Sequence, residues 1–298
     1  MATADLRKGY MLGLLAYGIW GLFPLYFKLL TAFDPMLIVT QRVLWSALFG
    51  ALALAVWRHR SWWRELLDHP RRIGVLAVSG LLIASNWLIY VWAVNNDQMV
   101  AASLGYYINP LVNVVLGLVL LRERLRRLQW IAVGLAALGV LQQLMALGQI
   151  PWVSLVLALS FGFYGLLRKQ APVAALPGLV VETWLLLPLA LGWLLLSGDG
   201  ASAGAFTLTQ PQAIWLIAAG PITLIPLLCF NAAARHLPYS TLGFLQYIAP
   251  TLILLLAVAV FDEPFPPDKF IAFGFIWAGL AVYSVDAWWQ LKRTPVVV

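Results

Sequence analysis

The chain has 298 residues, of which 62% are hydrophobic and only 10% charged, with a mean hydropathy of +0.87; a water-soluble domain keeps about a quarter of its residues charged. Water is therefore not its main solvent, and a soluble globular enzyme is excluded. The net charge of +7 gathers at loop positions, so it reads as a membrane-orientation signal and not as a nucleic-acid footprint, and the lone Cys229 allows neither an intrachain disulfide nor a cysteine-rich metal site.

Apolar runs lie at about 10–30, 36–57, 73–93, 100–121, 128–147, 151–167, 176–196, 212–234, 241–260 and 269–289. Most reach the roughly 20 residues that carry a helix across a hydrocarbon core. Arg7 and Lys8 precede the first run, which is longer than a signal-peptide core and has no small-residue cleavage site, so it reads as a retained first span. Between the runs stand helix breakers and charges such as Asp34-Pro35, Arg58 to Arg72, Arg122 to Arg127 and Asp262 to Asp268. Ten spans put both termini on one side. Of the 19 Lys and Arg, 16 fall at the termini and in the loops after spans two, four, six and eight, the last two in Arg168-Lys169 and Arg235. Cytoplasmic loops retain Lys and Arg, so both termini are expected in the cytoplasm.

The halves resemble each other. At an offset of 140, Tyr107-Ile108 meets Tyr247-Ile248, Pro110 meets Pro250, Glu123 meets Glu263, Ile131-Ala132 meets Ile271-Ala272, Gly134 meets Gly274 and Gly139 meets Gly279. At an offset of 144, Gly18-Ile19-Trp20-Gly21-Leu22 meets Gly162-Phe163-Tyr164-Gly165-Leu166. Five spans per unit is an odd number, so the second unit must be inverted. The expected fold is an all-α membrane protein of ten transmembrane helices in two inverted repeats, 8–147 (spans one to five) and 151–290 (spans six to ten). Inverted repeats recur in secondary transporters, with substrate held near the midplane between them.

The stretches NWLIYVWAVN at 86–95 and SLGYYINPL at 103–111 resemble the EamA branch of the drug/metabolite transporter superfamily, and within it the RarD proteins. The similarity runs from about Lys8 to Trp289. It implies an inner-membrane permease of two five-helix EamA repeats, with a family label linked to chloramphenicol sensitivity that does not define a substrate.

Charges inside lipid cost several kcal/mol, so Arg42 and Glu182 are the first candidates for substrate or proton handling. Each lies about 9 Å in from its own end of the membrane by helical rise, leaving about 12 Å between their depths. The competing reading is that each snorkels to its nearer surface. Asn86, Trp87 and Tyr90 in span three and Tyr107 in span four offer aromatic and amide groups of the kind that line small-molecule sites, with Asn231, Gln246 and Tyr247 as second-half counterparts. Spans three, four, eight and nine are the expected walls. Interhelical hydrogen bonding explains Asn109, Asn113 and Asn95 equally well. Pro110 and Pro250 predict matched kinks, Trp20 and Tyr164 sit between glycines spaced for close helix approach, and Glu123 and Glu263 read as caps of the next helix or partners of a neighbouring Arg.

No phosphate loop, HExxH or GxSxG is present, and no cofactor or metal is expected. The expected partners are a small-molecule substrate and the lipid bilayer, with no nucleic acid. The reading is a secondary transporter of small metabolites or drugs by alternating access, with room for proton coupling. Amino acids, aromatic metabolites and amphiphilic drugs all fit. A passive facilitator, a lipid-modifying membrane enzyme and a signalling scaffold are the alternatives, and flux into liposomes against turnover in detergent separates them.

Overall fold

The computed structural model describes residues 3–31, 33–56, 62–96, 98–147, 151–196, 213–261 and 267–293. Among these, the helices are α1 (Thr3–Gly21), α2 (Phe23–Lys28), α3 (Pro35–Val56), α4 (Trp62–Leu67), α5 (Pro70–Asn95), α6 (Met99–Val119), α7 (Arg127–Leu147), α8 (Trp152–Gln170), α9 (Ala175–Leu196), α10 (Ala213–His236), α11 (Tyr239–Gln246), α12 (Ile248–Ala259) and α13 (Pro267–Arg293). They supply ten membrane-length apolar spans. The first is α1 with α2 and the ninth is α11 with α12; α4 is a short surface helix that the apolar pattern does not signal.

Local chemistry sets the breaks. Pro24, in the first turn of α2, has no N–H for the Trp20 carbonyl, and the first span turns at Leu22. Pro250 likewise leaves the Gln246 carbonyl without its helical donor, and the ninth span breaks at Tyr247. Pro110 does not act as its counterpart: α6 runs unbroken past it. Asp34 starts α3 by accepting from the N–H groups of Met36 and Leu37 at 2.8 and 3.2 Å.

Helix packing follows the offset between the halves. The close pairs α1 with α10, α10 with α3, and α6 with α8 have counterparts in α8 with α5, α5 with α9, and the ninth span with α1. Corresponding helices also pack on each other: α3 on α9, α6 on α11, α7 on α13. Each of these pairs is antiparallel. A Cβ at Gly139 would lie 2.7 Å from the Ala272 carbonyl, and one at Gly279 would lie 2.9 Å from that of Ala132. Gly139 and Gly279, and Ala132 and Ala272, are related by the same offset of 140. Small residues here let two backbones touch, which is how helices associate in lipid, where burying apolar surface gives little drive. Leu14, Leu81, Leu138, Leu185 and Ile225 face outward, as lipid permits.

One pairing is lopsided. The C-terminal half of α6 packs on α11, whereas α12 packs chiefly on α1 and not on α6.

Candidate functional site

Arg42 projects from α3 into the middle of the bundle. A Cβ at Gly220 would fall 2.7 Å from the backbone of Trp45, so glycine lets α10 approach α3 closely one turn from Arg42. Arg42 Nε then donates to Thr223 Oγ1 of α10 at 2.9 Å, and its guanidinium lies 4.5 Å from the centre of the Trp87 ring of α5. Tyr26, Tyr90 and Tyr106 stand within electrostatic reach of it, and the Tyr90 and Tyr106 rings meet edge to face at 6.2 Å. Arg42 and Tyr90 are partly accessible and Tyr106 is 43% exposed. An arginine at this depth costs about 2.5 to 3.5 kcal/mol on insertion scales, while a cation–π contact returns about 0.5 to 2 kcal/mol. The group is thus held in place without being neutralised.

A second polar layer lies deeper and is closed to solvent. Arg168 Nε of α8 stands 3.5 Å from Glu182 Oε1 of α9, each side chain 1% exposed. Ser79 of α5 donates a short hydrogen bond to the same carboxylate oxygen, and Arg168 Nη2 donates to the Ala175 carbonyl at 3.2 Å. Arg168 Nε and Nη1 and Glu182 Oε2 make no hydrogen bond among the described residues. Beside them Asn231 Nδ2 of α10 donates to the Tyr164 hydroxyl at 3.0 Å. Ser79 to Trp87 on α5 and Asn231 to Thr223 on α10 are both eight-residue intervals, so the layers are about 12 Å apart along two helices. Trp20, Phe161 and Phe230, in mutual ring contact, lie between.

The end of the bundle beyond this layer is sealed. Arg122 takes the left-handed conformation (φ 55°) and ends α6, and Glu123 N donates to the Gly117 carbonyl at 2.9 Å. That turn swings the Glu123 carboxylate onto the start of α11, where it accepts from the N–H groups of Tyr239 and Ser240 at 2.5 and 2.9 Å and from Ser240 Oγ at 2.7 Å. A carboxylate on a helix N-terminus gains from the dipole and the free N–H groups together. Tyr239 Oη donates to the Gly162 carbonyl at 2.5 Å, Lys169 Nζ donates to the carbonyls of Ala234 and Leu237, and Arg126 pairs with Asp286. Tyr17, Tyr164, Tyr239, Phe230 and Leu237 are all fully buried here.

Residues 7–144 match the EamA-like transporter family. The chain is 66% identical over 295 residues to an uncharacterized transporter of Pseudomonas aeruginosa, the alignment covering 99% of both. It is 47% identical to protein RarD of Escherichia coli over 99% of both chains, and 42% identical to protein RarD of Streptomyces exfoliatus over 98% of this chain and 93% of that one. The chain belongs to the RarD branch of the EamA-like transporter family. A crystal structure aligns over 93% of this chain and 97% of its own with a TM-score of 0.69 at 22% identity, which shows the same fold. The protein is therefore a multi-pass membrane transporter.

In this EamA-family transporter, the residues picked out from the sequence separate into three places. Arg42, Trp87 and Tyr90 come together as the accessible group. Glu182 and Asn231 fall in the buried layer; Glu182 does not snorkel, because Arg168, counted with the loop after span six, is inside the protein facing it. Asn86 bridges α5 to α8 through the Leu157 carbonyl and Ser160 Oγ at 2.9 and 3.0 Å. Gln246 accepts from Asn113 at 2.9 Å, and the Tyr247 hydroxyl donates to the Tyr107 carbonyl at 3.2 Å. Tyr107 itself packs edge to face on Phe273. Tyr106, one residue earlier, turns toward Arg42 instead. Among the described residues, the side chains recorded around Arg42 of span two come from spans one, three, four and eight, and none from span nine. Glu123 caps a helix of the opposite half and not the next one; Glu263 and Asn95 fall outside the described side chains.

The sequence reading missed Tyr26, Arg168 and Thr223, and it grouped Tyr106 with Tyr107 but assigned it to helix packing. A signal existed for Tyr106, since Tyr90 and Tyr106 are the tyrosines that a tight turn between spans three and four brings level. Arg168 resembles an orientation charge beside Lys169, and nothing local marks it as buried.

Proposed function

We propose that this EamA-family protein is a secondary transporter that moves small organic solutes by alternating access. Segments 8–147 and 151–290 act as inverted repeats in the inner (plasma) membrane, with both termini in the cytoplasm. The observation that carries this reading is the contrast around Arg42: a partly accessible cation and its aromatic neighbours on one side, and a dry, hydrogen-bonded seal about 12 Å deeper. The lopsided packing of α6 on α11, without its counterpart of α12 on α6, is what one half of a two-state cycle would look like. Exchanging the roles of the halves would close α12 onto α6 and release Glu123 from α11.

A second reading, proton coupling at Glu182, draws on the incompletely bonded Arg168–Glu182 pair. Parting the pair would free a carboxylate to take up a proton in one state and give it up in the other. Glu182→Gln keeps the shape and removes titration. In liposomes this variant is expected to lose transport driven by a pH gradient and keep solute exchange; pH-driven flux with its normal pH dependence would remove Glu182 from the coupling role, and solute flux that a pH gradient does not drive in the unaltered chain would mark a passive facilitator. Turnover of lipid in detergent without any flux would favour a membrane enzyme.

A further inference from the structure

We infer that Arg42, with Trp87, Tyr90 and Tyr106, forms an anion subsite that selects small aromatic carboxylates. This rests on the transporter reading and names the substrate class of that same site. Two guanidiniums lie within the helix bundle, and their surroundings differ. Arg168 has a carboxylate against it. Arg42 has none among the described residues: its Nε is held by Thr223 and one face by Trp87. Among the described residues, the acidic groups of α3 and α9 are committed elsewhere. Asp34 caps α3 eight residues before Arg42, about 12 Å away along the helix, and Glu182 lies about 12 Å deeper with Arg168.

Among the described residues Arg42 donates a hydrogen bond through Nε alone, which leaves the two Nη groups of its fork for a ligand. A guanidinium fork matches the two oxygens of a carboxylate and gains most where water is scarce. The surface next to the guanidinium is aromatic. Tyr106 is 43% exposed and stands against Tyr90, so a flat apolar body attached to the carboxylate has a surface to cover. An aromatic ring carrying an alkylammonium group meets the same guanidinium as a repelling charge, and the corresponding amide cannot neutralise it.

The test uses the purified full chain in neutral detergent, with indole-3-acetate, benzoate and phenylpyruvate as probes against indole-3-acetamide and tryptamine. The carboxylates are expected to raise the unfolding temperature in a dose-dependent way, the amide and amine not. Arg42→Gln should abolish the shift and Arg42→Lys weaken binding about tenfold or more. If Arg42→Gln fails to fold, Tyr106→Ala serves, since its exposed ring holds little of the core; it should weaken indole-3-acetate binding more than acetate binding. Equal shifts from tryptamine or the amide, no shift from any carboxylate, or undiminished binding in Arg42→Gln would overturn the inference. So would Arg42-dependent binding of phosphatidylglycerol without binding of the carboxylates, which would make the site a lipid-headgroup contact. Proteoliposome flux separates this inference from the transporter reading. If neutral or cationic aromatics cross while carboxylates neither bind nor cross, the anion subsite fails and transport stands. If carboxylates bind as described and nothing crosses, the subsite stands and transport fails.

Discussion

Two arginines at different depths, Arg42 partly accessible and Arg168 buried, have opposite electrostatic circumstances, and that difference organises the residue-level chemistry. Breaking a buried pair by removing one partner costs about 3 to 5 kcal/mol, because a lone charge is stranded, while removing both costs much less. Glu182→Gln and Arg168→Gln should therefore each lower the melting temperature in detergent markedly, and the double variant should recover most of the loss; additive losses would mean that the 3.5 Å contact carries no coupling. Glu182 was legible as a costly intramembrane charge, and its depth relative to Arg42 follows from helical rise alone. Its partner was not, because a span boundary drawn from hydropathy has an error of a full turn, enough to move Arg168 from core to loop. The same limit separates Tyr106 from Tyr107, since amphipathic periodicity barely exists in helices that face lipid on one side and apolar protein on the other. Tyr106→Ala should reduce flux with normal membrane expression, whereas Tyr107→Ala should reduce expression with unchanged flux per molecule.

At the scale of elements, the informative features are those that join the halves. The glycine pair that brings α7 against α13 was readable as a repeat match, but its purpose required the packing. Gly139→Leu or Gly279→Leu should disrupt that crossing, and each should cut the yield of folded protein. Glu123 was readable as a cap, while its target, α11 of the other half, is fixed by the turn at Arg122 and by antiparallel packing that no local pattern encodes. Replacing it by Ala removes a charge-assisted acceptor from three donors. Hydrogen exchange of the amides in Tyr239–Gln246 should then speed up relative to those of α7 and α13; unchanged protection would mean that the seal does not depend on this carboxylate.

For the molecule as a whole, composition and spacing already give the span count, because only closed hydrogen-bonded helices survive in lipid, while the family came from the resemblance of the stretches at 86–95 and 103–111. Which end of the bundle is closed was invisible, since Pro110 and Pro250 read alike in the sequence although α6 packs on α11 and α12 packs chiefly on α1. The 16-to-2 division of Lys and Arg between the two loop sets predicts that reporter fusions after Leu67 and after Gly204 read cytoplasm and outside respectively. In the proposed transport cycle one Arg42-centred site serves both membrane faces in turn. Counterflow in proteoliposomes tests it most directly, with labelled anionic, neutral and cationic aromatic solutes outside and each unlabelled counterpart inside. At least one solute is expected to enter faster when its counterpart is trapped within, and Arg42→Gln to remove this acceleration. Entry no faster than into protein-free liposomes, or entry that ignores the trapped solute, would contradict it.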